Sequence, residues 1–300
     1  MPSRDVNAAR SPDSIGVTSA PADSTTGAAE TRLAHHPSAA GLARLSHRRA
    51  FSPAGLDIYR HLIRLVELGP DQEFLLVPSG PGESARFLAE ATGAAGAGVD
   101  PDPEFVAAAT ARAREARLSD RLHFEHAPLD ELPYKDEVFD VVIADAGLGT
   151  AADPAAAVRE LVRVAKPMAS VVLIQFIWTG DANPERRDAV VESLGVRPLL
   201  LVEWKQLLRE AGVVDLYVED WSDSAASPRQ PWTVAALFGL GPLRDRLAVL
   251  FRAWRLWGWR GMRQALAFRD EVRDLVLRER ILGLSLIKGT KWHRPAEPTG

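Results

Sequence analysis

The stretch EFLLVPSGPGESARFLAEATG, residues 73–93, holds the residues best suited to binding a ligand. An apolar run predicts a strand, and Gly80 and Gly82 lie in the turn between that strand and a helical pattern. Glycine lets a ligand approach the backbone, and a helix N-terminus attracts negative charge. Asp100 ends the next apolar run, where a carboxylate can accept hydrogen bonds from both hydroxyls of a ribose. The combination predicts a nucleotide-type binding site; the alternative is a purely structural turn.

A general base is needed only if the acceptor of a transferred group must lose a proton. His123 and His126 lie on or just after the third predicted strand, and Tyr59 and His61 lie on the helix before the first. Either histidine of the strand could be that base, although a structural role is the alternative. A packing or surface role is likewise the alternative for Tyr59 and His61. No residue is therefore assigned as catalytic.

No metal site is predicted. The acidic group Asp136, Glu137 and Asp140 fits a solvated turn before the fourth strand better than a set of metal ligands. His35 and His36 form a pair, but they lie in a polar tail. The chain has no cysteine, which excludes disulfides and thiolate ligands and fits a cytoplasmic location.

The order of apolar patterns predicts the elements that position these residues. Strands are predicted in EFLLV, GAGVD, LHFEHA, FDVVIADAG, ASVVLIQF, VVDLYVEDW and LGLSLIKGTKW, and helical patterns separate most of them. Strands that alternate with helices favour parallel pairing. The fold class is therefore α/β, with a doubly wound, mostly parallel, seven-stranded sheet.

Composition divides the chain into five parts. Residues 1–46 lack aromatic residues and are expected to be a disordered tail. The other four parts are expected to be the core at 47–224, a helical insertion at 225–282, the last strand at 283–294 and a second tail at 295–300. Between positions 241 and 294 there are 13 Lys and Arg against 5 Asp and Glu, together with four of the eight tryptophans. The apolar spacing of Leu243, Leu247, Leu250, Phe251 and Trp254 predicts a helix with one apolar face, which is expected to be buried.

Several blocks together resemble the class I S-adenosylmethionine-dependent methyltransferases, in particular the ubiquinone-biosynthesis-like "type 11" group. These are GVDPDPEFVAAATARA, DELPYKDEVFDVVIAD, DPAAAVRELVRVAKPMASVVLI and VEWKQLLREAGVVDLYVEDW, and the resemblance covers about residues 51–221. It implies a Rossmann-like fold, S-adenosyl-L-methionine as cofactor, and methylation as the activity.

The resemblance also implies the roles of individual residues. The methionine part of the cofactor would be lined by Val77, Pro78, Ser79, Gly80, Pro81 and Gly82. Asp100 would hold the ribose, Pro101 would lie beside the adenine, and Ala127, Pro128 and Leu129 would border the adenine ring. Ala144 and Asp145 would form the wall beneath the sulfonium.

The chain departs from the family pattern at several positions. Leu76 stands where the family usually has an acidic residue, Pro78 where it has glycine, and Pro128 where it has an aspartate that binds the adenine amino group. An aromatic or histidine pair after the fourth strand is replaced by Gly149 and Thr150. Loss of the adenine acceptor would cost about 1–3 kcal/mol, or one to two decades of affinity. A functional but weakened cofactor site is expected.

These observations favour methyl transfer to a small, apolar metabolite. The alternative is a non-catalytic, methyltransferase-like protein that serves binding or assembly. A dinucleotide oxidoreductase comes third, because GPGESA also satisfies the pattern G-x-G-x-x-A. The partner is expected to be a small-molecule substrate and not a nucleic acid, since the net charge is −4 and no recognition motif is present. The insertion at 242–280 is interpreted as a lid or homodimer surface, or as a segment that contacts an anionic membrane surface.

Overall fold

One β-sheet, with a hydrophobic core on each face, forms the centre of the described part of the protein. The computed structural model describes residues 55–179, 184–185, 187–188, 191, 196–222, 250–251, 254–255, 257–264, 266–267 and 281–292. The strands are β1 Glu73–Val77, β2 Ala95–Asp100, β3 Leu122–His126, β4 Phe139–Asp145, β5 Ala165–Trp178, β6 Leu199–Leu200, β7 Val213–Asp220 and β8 Leu282–Lys291. The helices are α1 Gly55–Val66, α2 Glu83–Thr92, α3 Pro103–Glu115, α4 Pro154–Val164 and α5 Leu201–Glu210, with a 3-10 turn at Leu148–Thr150.

The strand order is β3-β2-β1-β4-β5-β8-β7, and β6 pairs with the end of β5. Strands β1 to β5 pair in parallel, whereas β8 runs antiparallel to both β5 and β7. The predicted α/β class and mostly parallel sheet are confirmed, with all seven predicted strands present. The two-residue strand β6 is an addition that the sequence patterns did not indicate.

Alternation along the central strands produces two cores, one on each face of the sheet. Val141 and Ile143 of β4 belong to the core that also contains Leu62 of α1 and Leu88 of α2. Val142 and Ala144 of the same strand belong to the opposite core, which contains residues of α4 and α5. A strand that is buried on both faces needs a continuous apolar sequence, which accounts for the composition of FDVVIADAG.

Two helices begin as their sequences predict. Asp102 accepts a hydrogen bond of 3.0 Å from the amide of Glu104 at the start of α3, and Asp153 accepts one of 2.8 Å from the amide of Ala155 at the start of α4. Helix α4 ends at Val164, before Pro167, although a proline is a common signal for the end of a helix. Pairing of Ala165 with Phe139 already draws the chain into β5 there.

The predicted domain boundaries remain predictions, because the tail at 1–46 and much of the insertion lie outside the described residues. Within the insertion, residues 250–251, 254–255, 257–264 and 266–267 are helical. The predicted buried face is wrong at two positions, because Phe251 and Trp254 are 59% and 49% exposed. Leu243 and Leu247 lie outside the described residues, and Leu250 is half-buried. Over the described ranges, the helices lack the length and apolar character needed to cross a membrane.

Candidate cofactor and acceptor site

The loop after β1 is attached to the end of β2 by backbone and side-chain hydrogen bonds. The amide of Ser79 donates to the carbonyl of Val99 at 2.8 Å, and the amide of Gly80 donates to Oδ2 of Asp100 at 2.8 Å. The amide of Asp102 donates to Oδ1 of Asp100 at 2.9 Å. Both oxygens of this carboxylate are therefore oriented by the backbone, immediately beside the glycine turn.

The two glycines of the turn, Gly80 and Gly82, differ in their surroundings. Both lie in the left-handed region, Gly80 at φ 51° and Gly82 at φ 82°. A Cβ at Gly82 would lie 2.7 Å from Cβ of Ala109 on α3 and 3.2 Å from the ring of Phe124 on β3, so glycine is required there by packing. A Cβ at Gly80 would meet no atom within 4 Å. The loop therefore borders open space at Gly80, where a ligand could approach the backbone.

Helix α2 begins directly at this turn. Its N-cap is Gly82, and no side chain caps the first-turn amides of the helix. Such amides and the helix dipole favour an anionic group, for example the carboxylate of an amino acid. The turn, the helix N-terminus and Asp100 together suit a ligand that carries both a carboxylate and a ribose.

The residues predicted to border an adenine lie at the carboxyl ends of β2 and β3. The amide of Ala127 donates to the carbonyl of Asp100 at 3.4 Å, and Nε2 of His126 lies 3.1 Å from the carbonyl oxygen of Pro101. Leu129 is buried at 3% exposure, whereas Pro128 is exposed. The structure thus gathers Pro101, Ala127, Pro128 and Leu129 next to the glycine turn, with Pro128 on the surface.

The acceptor side is built around the end of β4. The hydroxyl of Tyr59 on α1 donates a short hydrogen bond to Oδ2 of Asp145, and Ser84 Oγ donates to the hydroxyl of Tyr59 at 2.8 Å. Gln175 of β5 is 1% exposed and donates to the carbonyl of Ala144 at 3.0 Å. Helices α1 and α2 and the end of β4 therefore meet in one polar cluster of Tyr59, Ser84 and Asp145 beside the glycine turn. Gln175 is bonded to β4 separately, on the opposite face of the sheet.

Comparison with known proteins agrees with this arrangement. Residues 75–173 match the methyltransferase domain family. The chain is 32% identical over 180 residues to the 27-O-demethylrifamycin SV methyltransferase of Amycolatopsis mediterranei, which covers 58% of this chain and 65% of that enzyme. The chain belongs to the class I methyltransferase family. The aligned region is thus slightly less than two thirds of the rifamycin enzyme.

Solved structures show the same fold. The [4+2]-cyclase SpnF superposes with a TM-score of 0.63 and 23% identity, covering 79% of this chain and 81% of the cyclase. Phosphoethanolamine N-methyltransferase 2 of Haemonchus contortus, in complex with phosphomonomethylethanolamine and S-adenosylhomocysteine, has a TM-score of 0.61 and 16% identity. That match covers 81% of this chain and 55% of the worm enzyme.

The departures of this methyltransferase from its family pattern are structurally compensated in the loop after β4. A Cβ at Gly147 would lie 2.5 Å from Cγ of Pro78, so a glycine at 147 makes room for the proline. A Cβ at Gly149 would lie 2.4 Å from the carbonyl oxygen of Arg197, whose amide donates to the carbonyl of Gly149 at 3.0 Å. A side chain at position 149, the first position of the aromatic or histidine pair typical of the family, would therefore collide with the backbone of Arg197.

In β1, Leu76 occupies the position where the family usually has an acidic residue. Leu76 is fully buried among the apolar residues between the sheet and α1. A different carboxylate, Glu83 in the first turn of α2, is 2% exposed and pairs with Arg86. Its hydrogen bond is the largest contribution to a raised pKa of Arg86, and burial of the guanidinium opposes it. Sequence analysis missed Glu83, although its position after the last glycine and its i,i+3 spacing to Arg86 are signals.

Sequence analysis also did not name Ser84, whose polar side chain is buried in the acceptor-side cluster, or Gln175, whose side chain is buried against β4. A polar residue in the first turn of a helix or within an apolar strand is by itself a weak signal of function. The roles of Ser84 and Gln175 become apparent only from their hydrogen-bond partners, which are the Tyr59 hydroxyl and the Ala144 carbonyl, respectively. Tyr59 was singled out, with packing or surface exposure as the alternative, and the structure places it in this cluster.

The candidate histidines occupy different surroundings. His123 is half-buried on β3, and His126 is exposed at the end of that strand. Nε2 of His61 lies 2.8 Å from Oε2 of Glu219, which also accepts a hydrogen bond of 3.0 Å from Nε1 of Trp221. Burial favours a higher pKa for Glu219, but hydrogen bonds from Tyr217 and Trp221 and the contact with His61 outweigh it and lower the pKa.

The acidic group at the start of β4, of which Asp140 lies within the strand, is engaged in ion pairs. Asp136 lies 2.8 Å from Arg163, Glu137 lies 3.7 Å from Lys291 and Asp140 lies 2.9 Å from Lys166. Oδ2 of Asp140 also accepts the amide of Glu73 at the amino end of β1. These residues therefore stabilise the sheet at the amino ends of its parallel strands. The described parts of the chain contain no cluster of His, Asp and Glu suited to a metal ion.

Proposed function

We propose that this methyltransferase transfers a methyl group from S-adenosyl-L-methionine to a small, apolar metabolite in the cytoplasm. The observation that carries the proposal is the bond between the amide of Gly80 and the buried carboxylate of Asp100. It brings a glycine turn, a helix N-terminus and a strand-terminal carboxylate to one place. The absence of cysteine supports the cytoplasmic part of the proposal.

The cofactor would supply an electrophilic methyl group on a sulfonium. The backbone from Val77 to Gly82 and the first-turn amides of α2 would bind its amino-acid carboxylate. Asp100 would accept hydrogen bonds from the ribose hydroxyls, since an ionised carboxylate offers about four acceptor positions. Pro101, Ala127, Pro128 and Leu129 would border the adenine without an acidic acceptor for its amino group.

The acceptor would lie beside Ala144 and Asp145 at the end of β4. Methyl transfer is an in-line displacement, so correct orientation of the two reactants provides much of the catalysis. Tyr59 holds the Asp145 carboxylate, and Ser84 holds the Tyr59 hydroxyl, which gives this wall a defined polar position in apolar surroundings. The rifamycin relative, by its name, methylates a demethylrifamycin, which supports a small-molecule acceptor here.

A non-catalytic binding or assembly role is the second candidate. Two observations favour it: Leu76 is an apolar core residue, and Pro128 offers no hydrogen bond to an adenine amino group. The fold also occurs in a [4+2]-cyclase, so this architecture is not restricted to methyl transfer.

Calorimetric titration of the full chain with S-adenosylhomocysteine, S-adenosylmethionine and NAD tests the cofactor. We expect binding of the first two, and Asp100→Asn should weaken S-adenosylhomocysteine by about 10- to 100-fold. Asp140→Asn is the matched control, because Asp140 also accepts a hydrogen bond from a backbone amide but lies at the opposite, amino ends of the parallel strands. Unchanged affinity in folded Asp100→Asn would refute the ribose assignment, and binding of NAD alone would refute the cofactor.

Turnover separates the two candidate functions. The chain is incubated with methyl-labelled S-adenosylmethionine and a panel of apolar hydroxyl, amine and carbon acceptors. Label in an acceptor, with equal release of S-adenosylhomocysteine, establishes transfer. Tight cofactor binding without label in any member of the panel favours the binding role.

A further inference from the structure

The stretch LFRAWRLWGWRGMRQALA, residues 250–267, combines four arginines and three tryptophans with no acidic residue. The rest of the chain is acidic, because the whole has a formal net charge of −4 while 13 Lys and Arg face only 5 Asp and Glu between 241 and 294. Positive charge and large aromatic side chains are thus concentrated in one short part of the molecule. The cofactor and acceptor cluster makes no use of it.

Three of the four described aromatic side chains of this stretch are exposed, whereas Trp257 is half-buried and Met262 is buried. Phe251, Trp254 and Trp259 are 59%, 49% and 62% exposed. The rings of Phe251 and Trp254 lie 5.7 Å apart and form one exposed apolar surface. Exposed aromatic residues in such number generally mark an interaction site on a protein.

Exposed arginines accompany the aromatic residues along this helical stretch. Residues 257–264 are helical, and Gly258 within them has φ 67°, a left-handed conformation that glycine adopts readily. Arg255 follows Trp254, Arg260 and Arg263 follow Trp259, and all three arginines are exposed. Each exposed tryptophan therefore has at least one exposed cation close to it in sequence.

We propose that residues 250–267 dock this protein on an anionic lipid surface. Tryptophan favours the membrane–water interface because its ring is apolar and its N–H is polar. Arginine at the same depth attracts anionic headgroups. The proposal goes beyond methyl transfer and does not depend on it.

A second copy of this chain fits the segment less well. A two-fold interface would place the same patch on both partners, so arginines would face arginines without a carboxylate in the segment to pair them. An anionic lipid surface supplies many negative groups and an apolar layer together, which matches both features of the segment.

Sedimentation of the full chain with vesicles tests the proposal. Vesicles of phosphatidylcholine alone are compared with vesicles of equal parts phosphatidylcholine and phosphatidylglycerol. We expect binding to the second kind only, and weaker binding at high salt because exposed charges are screened. The triple variant Arg255→Gln, Arg260→Gln and Arg263→Gln should lower the partition coefficient by on the order of 100-fold. The double variant Trp254→Ala and Trp259→Ala should lower it at low and at high salt.

Matched controls use exposed residues elsewhere. Trp292→Ala removes an exposed tryptophan outside the segment, and Arg114→Gln, Arg159→Gln and Arg209→Gln together remove three exposed arginines. Both controls should keep wild-type vesicle binding. All variants should keep the circular dichroism and S-adenosylhomocysteine affinity of the wild type, which separates this test from that of the proposed function.

Quenching of wild-type tryptophan fluorescence by brominated lipids provides a measurement without any variant, and we expect it with anionic vesicles only. Equal binding to both kinds of vesicle, no binding, or wild-type binding by both segment variants would overturn the proposal. So would tighter binding to a single-stranded oligonucleotide than to vesicles. A dimer that Trp254→Ala and Trp259→Ala dissociate, without vesicle binding by the wild type, would assign the segment to self-association instead.

Discussion

The hydroxyl of Tyr59 donates a hydrogen bond to Oδ2 of Asp145, although the two residues are 86 positions apart. Tyr59 is fully buried and also accepts a hydrogen bond from Ser84. The pair joins the helix before β1 to the end of β4, where the acceptor is proposed to lie. A buried hydrogen-bonded group of this kind orients a side chain and stabilises the fold at the same time.

Tyr59→Phe should lower the free energy of unfolding by about 1–2 kcal/mol, because it removes two hydrogen bonds, the one from Ser84 and the one to Asp145. Urea denaturation measures the change. Tyr217→Phe is the control, since Tyr217 also donates to a carboxylate, that of Glu219, but is 46% exposed. The control should change stability by less than about 0.5 kcal/mol. Equal losses in the two variants would show that the buried cluster adds nothing beyond a surface contact.

Alanine at the two glycines of the turn should separate packing from ligand binding. Gly82→Ala adds a Cβ 2.7 Å from Ala109 at a left-handed φ and should cost about 2–4 kcal/mol of stability. Gly80→Ala has open space around it and should cost only the conformational strain, about 1 kcal/mol. Thermal unfolding ranks the two, and titration should show that Gly80→Ala nevertheless binds S-adenosylhomocysteine at least tenfold more weakly. Full affinity in Gly80→Ala would mean that no ligand approaches the backbone there.

Pro128→Asp should tighten the binding of S-adenosylhomocysteine by about tenfold, because it restores an acceptor for the adenine amino group. Pro128 is exposed, so the substitution meets no packed core. Pro128→Ala removes the ring without adding an acceptor and should leave the affinity unchanged. The comparison uses titration with S-adenosylhomocysteine and with its inosine analogue, which lacks the amino group. A gain that is the same for both ligands would contradict the alignment of this loop.

Glu160 provides a prediction for pH dependence. Burial favours a higher pKa for Glu160, but hydrogen bonds from Arg163 and from the Leu132 amide outweigh it, so the pKa is lowered. A carboxyl group with a lowered pKa stabilises the fold above its ordinary pKa and loses that effect as the pH falls through the lowered value. Arg163 also donates to the carbonyl oxygens of Leu132 and Tyr134, so the pair holds the loop that follows the proposed adenine border.

Glu160→Gln should therefore destabilise the fold by about 1–2 kcal/mol at neutral pH, and the difference from wild type should shrink in acid. Urea denaturation from neutral to acidic pH measures it. The control is Glu90→Gln, which breaks the more exposed pair with Arg86 and should have little effect at any pH. A difference that grows in acid would have the wrong sign for a carboxylate stabilised by Arg163.

Local patterns were sufficient for most of the fold. The helix starts at Asp102 and Asp153 depend on residues two positions away, and the strands depend on short apolar runs, so both could be predicted without knowing the rest of the chain. The meeting of Gly80 with Asp100 was also predictable, because parallel neighbouring strands end at the same edge of a sheet. The termination of α4 at Val164 was not, since pairing of Ala165 with Phe139 takes precedence over the proline signal.

The sequence by itself thus determined the α/β class and the place of the glycine turn, because periodicity and turn residues act over a few positions. Only the tertiary structure decided that Tyr59 meets Asp145, that Gly149 lies against Arg197, and that Phe251, Trp254 and Trp259 face solvent. Each of these depends on how elements far apart in the chain pack together. Such contacts leave no periodic trace in either partner's own sequence, which is the physical reason that they become visible only in the folded chain.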